Sequence, residues 1–153
     1  MRNTFRYCAL IAGLALAGCS TYQKRWDAAK LAGSLPGAAH AGAYEGRWES
    51  TRMPGTGGNL WCILTPDGQG NYSADFKATW HGVFKSEHVA LLKTRSARKP
   101  GYASFSGEAA LTAIIGSGKY TCTGELTPGG MTAAYDASYD VGNFTLKRAA
   151  AAK

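Results

Sequence analysis

The sequence predicts an all-β fold, an eight-stranded antiparallel up-and-down meander closed into a small barrel. Three observations carry that expectation. After Tyr44 apolar and polar residues alternate with period 2, turn-forming residues punctuate the runs, and one pattern recurs about 60 residues further on. Composition agrees: 20 glycines, 11% aromatic and only 18% charged residues suit short strands and tight turns better than long helices or disorder.

Residues 1–18 read as an export signal. Met1-Arg2 and Arg6 make a basic, acid-free start, an apolar stretch runs from Tyr7 to Ala17, and small residues follow. The run of about a dozen residues falls short of the roughly 20 that span a bilayer. Leu16-Ala17-Gly18-Cys19 resembles the lipobox of bacterial lipoproteins. That resemblance implies cleavage after Gly18, diacylglycerol on the Cys19 thiol and a membrane-tethered mature chain. Several acyl chains together, as in that family, hold firmly where one is marginal. Ser20, standing where Asp would retain a lipoprotein in the inner membrane, implies the outer membrane, with the body facing the periplasm or the cell surface.

Residues 19–43 have the composition of a lipid-anchored stalk. Gln23 to Ala32 can form two or three helical turns, and Gly33-Ser34 with Leu35-Pro36-Gly37 then end any helix. A small-residue linker would let the folded body stand away from lipid. Trp26 either inserts at the membrane interface or packs on the domain.

The barrel is expected over 44–148, with a disordered tail at 149–153. Its strands are read at 44–52, 58–65, 70–80, 83–94, 101–110, 117–127, 130–139 and 142–148. The clearest is 70–80, where Tyr72, Ala74, Phe76, Ala78 and Trp80 share one face and Ser73, Asp75, Lys77 and Thr79 the other. Met131, Ala133, Tyr135, Ala137 and Tyr139 repeat the arrangement. Pro54-Gly55, Pro66-Asp67-Gly68, His81-Gly82, Pro100-Gly101, Pro128-Gly129-Gly130 and Asp140-Val141-Gly142 supply the turns. The segment from Gly58-Asn59-Leu60-Trp61-Cys62 to Phe84 has a counterpart from Gly118-Lys119-Tyr120-Thr121-Cys122 to Phe144. Two similar four-strand halves follow, and closure removes their exposed edges.

The cysteines constrain the barrel's section. Cys8 leaves with the signal and Cys19 is taken by lipid, so in an oxidising compartment Cys62 and Cys122 are expected to form a disulfide. Closing a loop of about 60 residues would add roughly 4 kcal/mol. Yet a bond needs Cα atoms within about 7 Å, and the second and sixth strands of a round eight-stranded barrel face each other across the interior. Either the barrel is flattened, or the pair is unbridged.

Trp48, Tyr72, Phe76, Trp80, Tyr120, Tyr135, Tyr139 and Phe144 share the inward parity. They either fill an interior only just wide enough for side chains, or line a pocket mouth for a small apolar or sugar-like ligand. Trp61 and Ile63 have the opposite parity, which predicts an exposed patch for a partner or a second copy.

Catalysis and metal binding find little support. His40 lies in the linker, His81 in a turn, and His81 and His88 have no metal-ligand spacing. Asp67 and Asp140 stand beside turn glycines, where Asx-type hydrogen bonds explain them. No Gly-x-Ser-x-Gly elbow occurs. No enzyme activity, cofactor or metal is therefore expected. The formal charge of +7 includes Arg2 and Arg6, and apart from Lys24-Arg25 and the Arg95 to Lys99 stretch, which reads as a solvated loop, the remaining lysines and arginines are scattered, with no nucleic-acid signature.

Gly46-Arg47-Trp48 and the closing Phe144-Thr145-Leu146-Lys147-Arg148 resemble the Gly-x-Trp and terminal basic residue of the calycin, or lipocalin-like, barrels. In those barrels the Trp and the basic side chain pack together at the floor. Lys24-Arg25-Trp26-Asp27-Ala28-Ala29, Gly46-Arg47-Trp48-Glu49, Leu60-Trp61-Cys62, Gly118-Lys119-Tyr120 and Tyr139-Asp140-Val141-Gly142-Asn143-Phe144 are similar to bacterial envelope lipoproteins of planctomycete and verrucomicrobial type, a resemblance that implies no activity. The sequence thus points to a non-enzymatic, membrane-anchored envelope lipoprotein with a structural or interaction role. A lipid-anchored barrel that binds a small ligand is the alternative.

Overall fold

The computed structural model describes residues 21–82, 84–113 and 116–150. Its strands are β1 (Gly42–Ser50), β2 (Gly57–Pro66), β3 (Tyr72–Trp80), β4 (Phe84–Ser96), β5 (Ala103–Ala113), β6 (Gly116–Thr127), β7 (Gly130–Ala137) and β8 (Val141–Arg148). Each pairs antiparallel with the next, and β8 returns to β1 from Tyr44↔Arg148 to Ser50↔Gly142. The barrel is closed. All eight expected strands are present, with ends moved by about three residues at most, and the two copies of the repeat fall on β2–β4 and β6–β8.

Strand alternation sorts the wall. In β7 and β8 the side chains of Met131, Ala133, Tyr135, Ala137, Phe144 and Leu146 point inward and are buried, while Thr132, Asp136, Asn143, Thr145 and Lys147 are exposed. A polar outside around an apolar inside is the reverse of a barrel embedded in lipid. Among the described residues no helix is long and apolar enough to cross a membrane.

Residues 21–41 do not form the expected flexible stalk. Residues 21–32 make a helix, α1, whose Tyr22, Trp26 and Ala29 recur at helical spacing and bury one face on the outer wall beside Ala43, Ile63 and Ala149. Gly33, at φ 62°, ends α1 in the left-handed region, its N–H donating to Ala29 O at 3.2 Å. Three polar contacts fix the seat: Tyr22 Oη donates to Asp75 O at 3.1 Å, Trp26 Nε1 to Tyr44 O at 3.4 Å, and Arg25 pairs with the Asp75 carboxylate. Of the two placements open to Trp26, it takes packing on the domain.

This seat corrects the partner patch. Trp61 and Ile63 do face outward, but α1 lies over them, leaving Ile63 buried and Trp61 half-buried. Parity turns both side chains outward, and the chain itself supplies their cover. Ala149 likewise belongs to the fold and not to a tail: it is buried, and its N–H donates to Ala43 O at 2.9 Å.

Residues 35–41 plug the end of the barrel where β1 begins. Ala38 and Ala41 are buried in the core, and His40 is buried against the Tyr72 ring. Arg148 donates to Ala39 O and Ala41 O, both at 2.7 Å, while its guanidinium lies 4.9 Å from the centre of the Tyr44 ring. Trp48 does not pair with Arg148: it stands opposite Phe144, and the ring beside the Arg148 guanidinium is that of Tyr44.

Cys62 and Cys122 are both buried and both free, so the expected disulfide is not formed. They sit on β2 and β6, four strands apart around either arc, and both side chains belong to the barrel core. Burial pushes the Cys62 thiol well up and Cys122 to about 11, so both stay protonated at neutral pH. Residues 1–18, the lipidation candidate Cys19 and residues 151–153 lie outside the described residues.

If the helix is a latch, Trp26→Ala should cost about 3 kcal/mol of stability in urea unfolding. A stalk residue would change nothing.

Candidate functional site

The interior is packed unevenly. Toward the plugged end, Tyr44, Leu64, Leu92, Leu126, Met131 and Leu146 are fully buried. Toward the opposite end the small side chains of Ala78, Ser86 and Ala137 face aromatic neighbours, and a cavity of about 230 Å³ remains, open to solvent. Trp48, Leu60, Phe76, Trp80, Tyr120, Tyr135, Tyr139 and Phe144 line it, with His81, His88 and Asp140.

Seven of the eight residues of inward parity therefore meet here: Trp48, Phe76, Trp80, Tyr120, Tyr135, Tyr139 and Phe144. Tyr72 does not. It has the right parity but sits at the foot of β3, buried beside His40 in the plugged end. Tyr139 arrives by a different route from the one expected, since β7 ends at Ala137 and Tyr139 reaches the mouth from the following turn, 37% exposed.

Local geometry aims the rings. A Cβ on Gly58 would lie 1.6 Å from the Thr79 carbonyl oxygen, so only glycine lets β2 pass this close. In the same place Trp48 Nε1 donates to Thr79 O at 3.1 Å, which fixes the indole against the wall. Tyr120 and Tyr135 stack at 6.0 Å and 17°, and Trp48 meets Tyr135 edge-on at 6.4 Å.

At the rim, Asp140 is 4% exposed and accepts hydrogen bonds from Ser50 Oγ at 2.6 Å and Tyr135 Oη at 2.7 Å. Ser50 Oγ in turn accepts from Met53 N at 2.8 Å, so the network ties the β1–β2 loop to the β7–β8 turn. Burial, then the Asp140 carboxylate, holds the Tyr135 phenol well above its ordinary range. It remains a neutral donor.

His88 is what sequence reasoning missed. Its ring lies 5.2 Å from Phe76, nearly parallel, and 4.8 Å from Tyr120, and neither ring nitrogen has a hydrogen-bond partner. Burial lowers its pKa to about 4, so the imidazole is neutral at physiological pH, offering one donor and one acceptor. Its even-numbered place on β4 opposite Phe76 was the available signal. The wall beside it is loosely tied: among the described residues β4 pairs with β5 only from Leu91↔Glu108 to Ser96↔Ala103, leaving Phe84–Ala90 bonded on the β3 side.

Among the described residues no three His, Cys, Asp or Glu side chains come together to hold a metal. No protein family, curated protein or solved structure matches the chain.

The His88 shift sets a pH dependence. Its folded pKa of about 4 lies below the ordinary 6.5, so the unfolded chain binds more protons between those values and stability falls as pH drops through that window. His40, lowered by burial and then by Arg148, adds in the same direction. Between pH 7.5 and 4.5, His88→Leu should lose about 2–3 kcal/mol less than the parent in chemical denaturation. Equal losses would place the acid sensitivity elsewhere.

Proposed function

We propose that this protein is a lipid-anchored, non-catalytic binding module of the bacterial outer membrane that holds a small, largely apolar ligand in the open end of its barrel. The aromatic cavity carries the proposal. A space of about 230 Å³ lined by rings, with few polar groups and one end plugged, has the character of a small-molecule site. The unpartnered nitrogens of His88 add to it, because buried polar groups without partners are costly and a ligand can satisfy them.

Binding without chemistry is supported by the same geometry, since His88 makes no hydrogen bond to a hydroxyl it could activate. An interaction role through Trp61 and Ile63 loses its basis once α1 covers them. Attachment rests on Leu16-Ala17-Gly18-Cys19, and the outer-membrane placement on Ser20.

The neutral fluorophore N-phenyl-1-naphthylamine should bind saturably at one equivalent, and Ala137→Phe, which fills the cavity, should abolish that signal in a protein still folded by circular dichroism. Undiminished binding by the filled variant would overturn the cavity reading. Mass spectrometry of the membrane fraction should find the mature chain beginning at an acylated Cys19, and Cys19→Ala should leave the protein unprocessed and unacylated. A processed, unmodified Cys19 would refute the anchor.

A further inference from the structure

We infer that the ligand of this cavity carries a cationic amine, seated at Asp140 among the aromatic side chains of Trp48, Tyr135 and Tyr139 that line the same space. The inference rests on the binding role proposed above and names the chemical class of what is bound.

Asp140 is the starting point. Its carboxylate is buried at the rim and meets two hydroxyls, Ser50 and Tyr135, which are neutral donors. Among the described residues the ion pairs are Arg25–Asp75, Lys77–Glu87 and Lys119–Glu108, and none of these involves Asp140. A buried carboxylate without a counter-charge is unfavourable, and this one faces a cavity. Two hydroxyls occupy one acceptor position on each oxygen, which leaves further positions for the N–H groups of an ammonium.

The surroundings favour a cation over other polar groups. Trp and Tyr rings attract positive charge over their faces, and Trp48, Trp80, Tyr120, Tyr135 and Tyr139 all line the same space. The phenols of Tyr135 and Tyr139 are both held above their ordinary range, by burial first and Asp140 in part. They therefore stay neutral. His88 is uncharged and does not repel a cation, and its unpartnered ring nitrogen can accept from a second donor on the ligand. An anion would meet Asp140 directly. The remaining apolar wall of Leu60, Phe76 and Phe144 calls for a flat, apolar body behind the amine.

Three probes with one ring system separate the possibilities: 2-naphthylmethylamine, 2-naphthalenemethanol and 2-naphthoate, titrated calorimetrically into the full-length protein at pH 7.5. The amine should bind at least about tenfold tighter than the alcohol, with the carboxylate weakest. In Asp140→Asn the amine's advantage should fall to near unity. An alcohol that binds as tightly as the amine to the parent protein would overturn the cationic class while leaving the cavity reading intact. Failure of all three to bind would overturn both. Should Asp140→Asn not fold, Trp48→Leu must weaken the amine more than the alcohol, and equal weakening refutes the inference.

Discussion

Pairing of β1 with β8 is the constraint on which the rest of the molecule depends. Seven residue pairs from Tyr44↔Arg148 to Ser50↔Gly142 convert a meander into a closed wall and so define an inside. Both ends of the barrel are organised by residues of this seam. At one end Tyr44 and Arg148 receive the plug of residues 35–41. At the other, Ser50 reaches Asp140 just before β8 begins. Without closure, the plug and the rim network would have no common frame.

The two ends treat a charged side chain in opposite ways. Arg148 is satisfied by two carbonyls of the plug and the Tyr44 ring, so the chain's own backbone completes its coordination. Asp140 is satisfied only in part, by hydroxyls that neutralise none of its charge. Packing follows the same division, with large aliphatic residues filling the plugged end and Ala78, Ser86 and Ala137 standing opposite rings at the open one. The fold thus concentrates its packing at one end and leaves the cavity at the other.

The fold was legible because period 2 is a local property of the chain. Tyr72 to Trp80 and Met131 to Ala137 could be assigned to a face by counting, and the glycine- and proline-rich turns fixed where counting restarts. Parity gives the face of a residue but not its height in the barrel, which is why Tyr72 was placed with rings that lie at the far end. The covering of Trp61 and Ile63 was illegible for another reason. It depends on α1 meeting a wall distant in sequence, and the small residues that follow the helix read equally well as linker. His88 and Asp140 were visible as residues, yet their significance is a matter of what fails to surround them: a ring without partners and a carboxylate without a cation.

Docking of α1 changes what an anchor at Cys19 would mean mechanically. The described part of the helix starts at residue 21 and is held to the wall from Tyr22 onward, so Ser20 alone stands in the sequence between Cys19 and the docked helix. An extended residue spans at most about 3.6 Å, so Ser20 would add little slack between an acylated Cys19 and the helix. A long flexible stalk would let the body rotate and lift freely. With Cys19 acylated, this arrangement would instead couple the wall of β1–β3 to the membrane through Tyr22, Arg25 and Trp26, so loosening the Asp75 or Tyr44 contacts would lengthen the tether as well as weaken the fold.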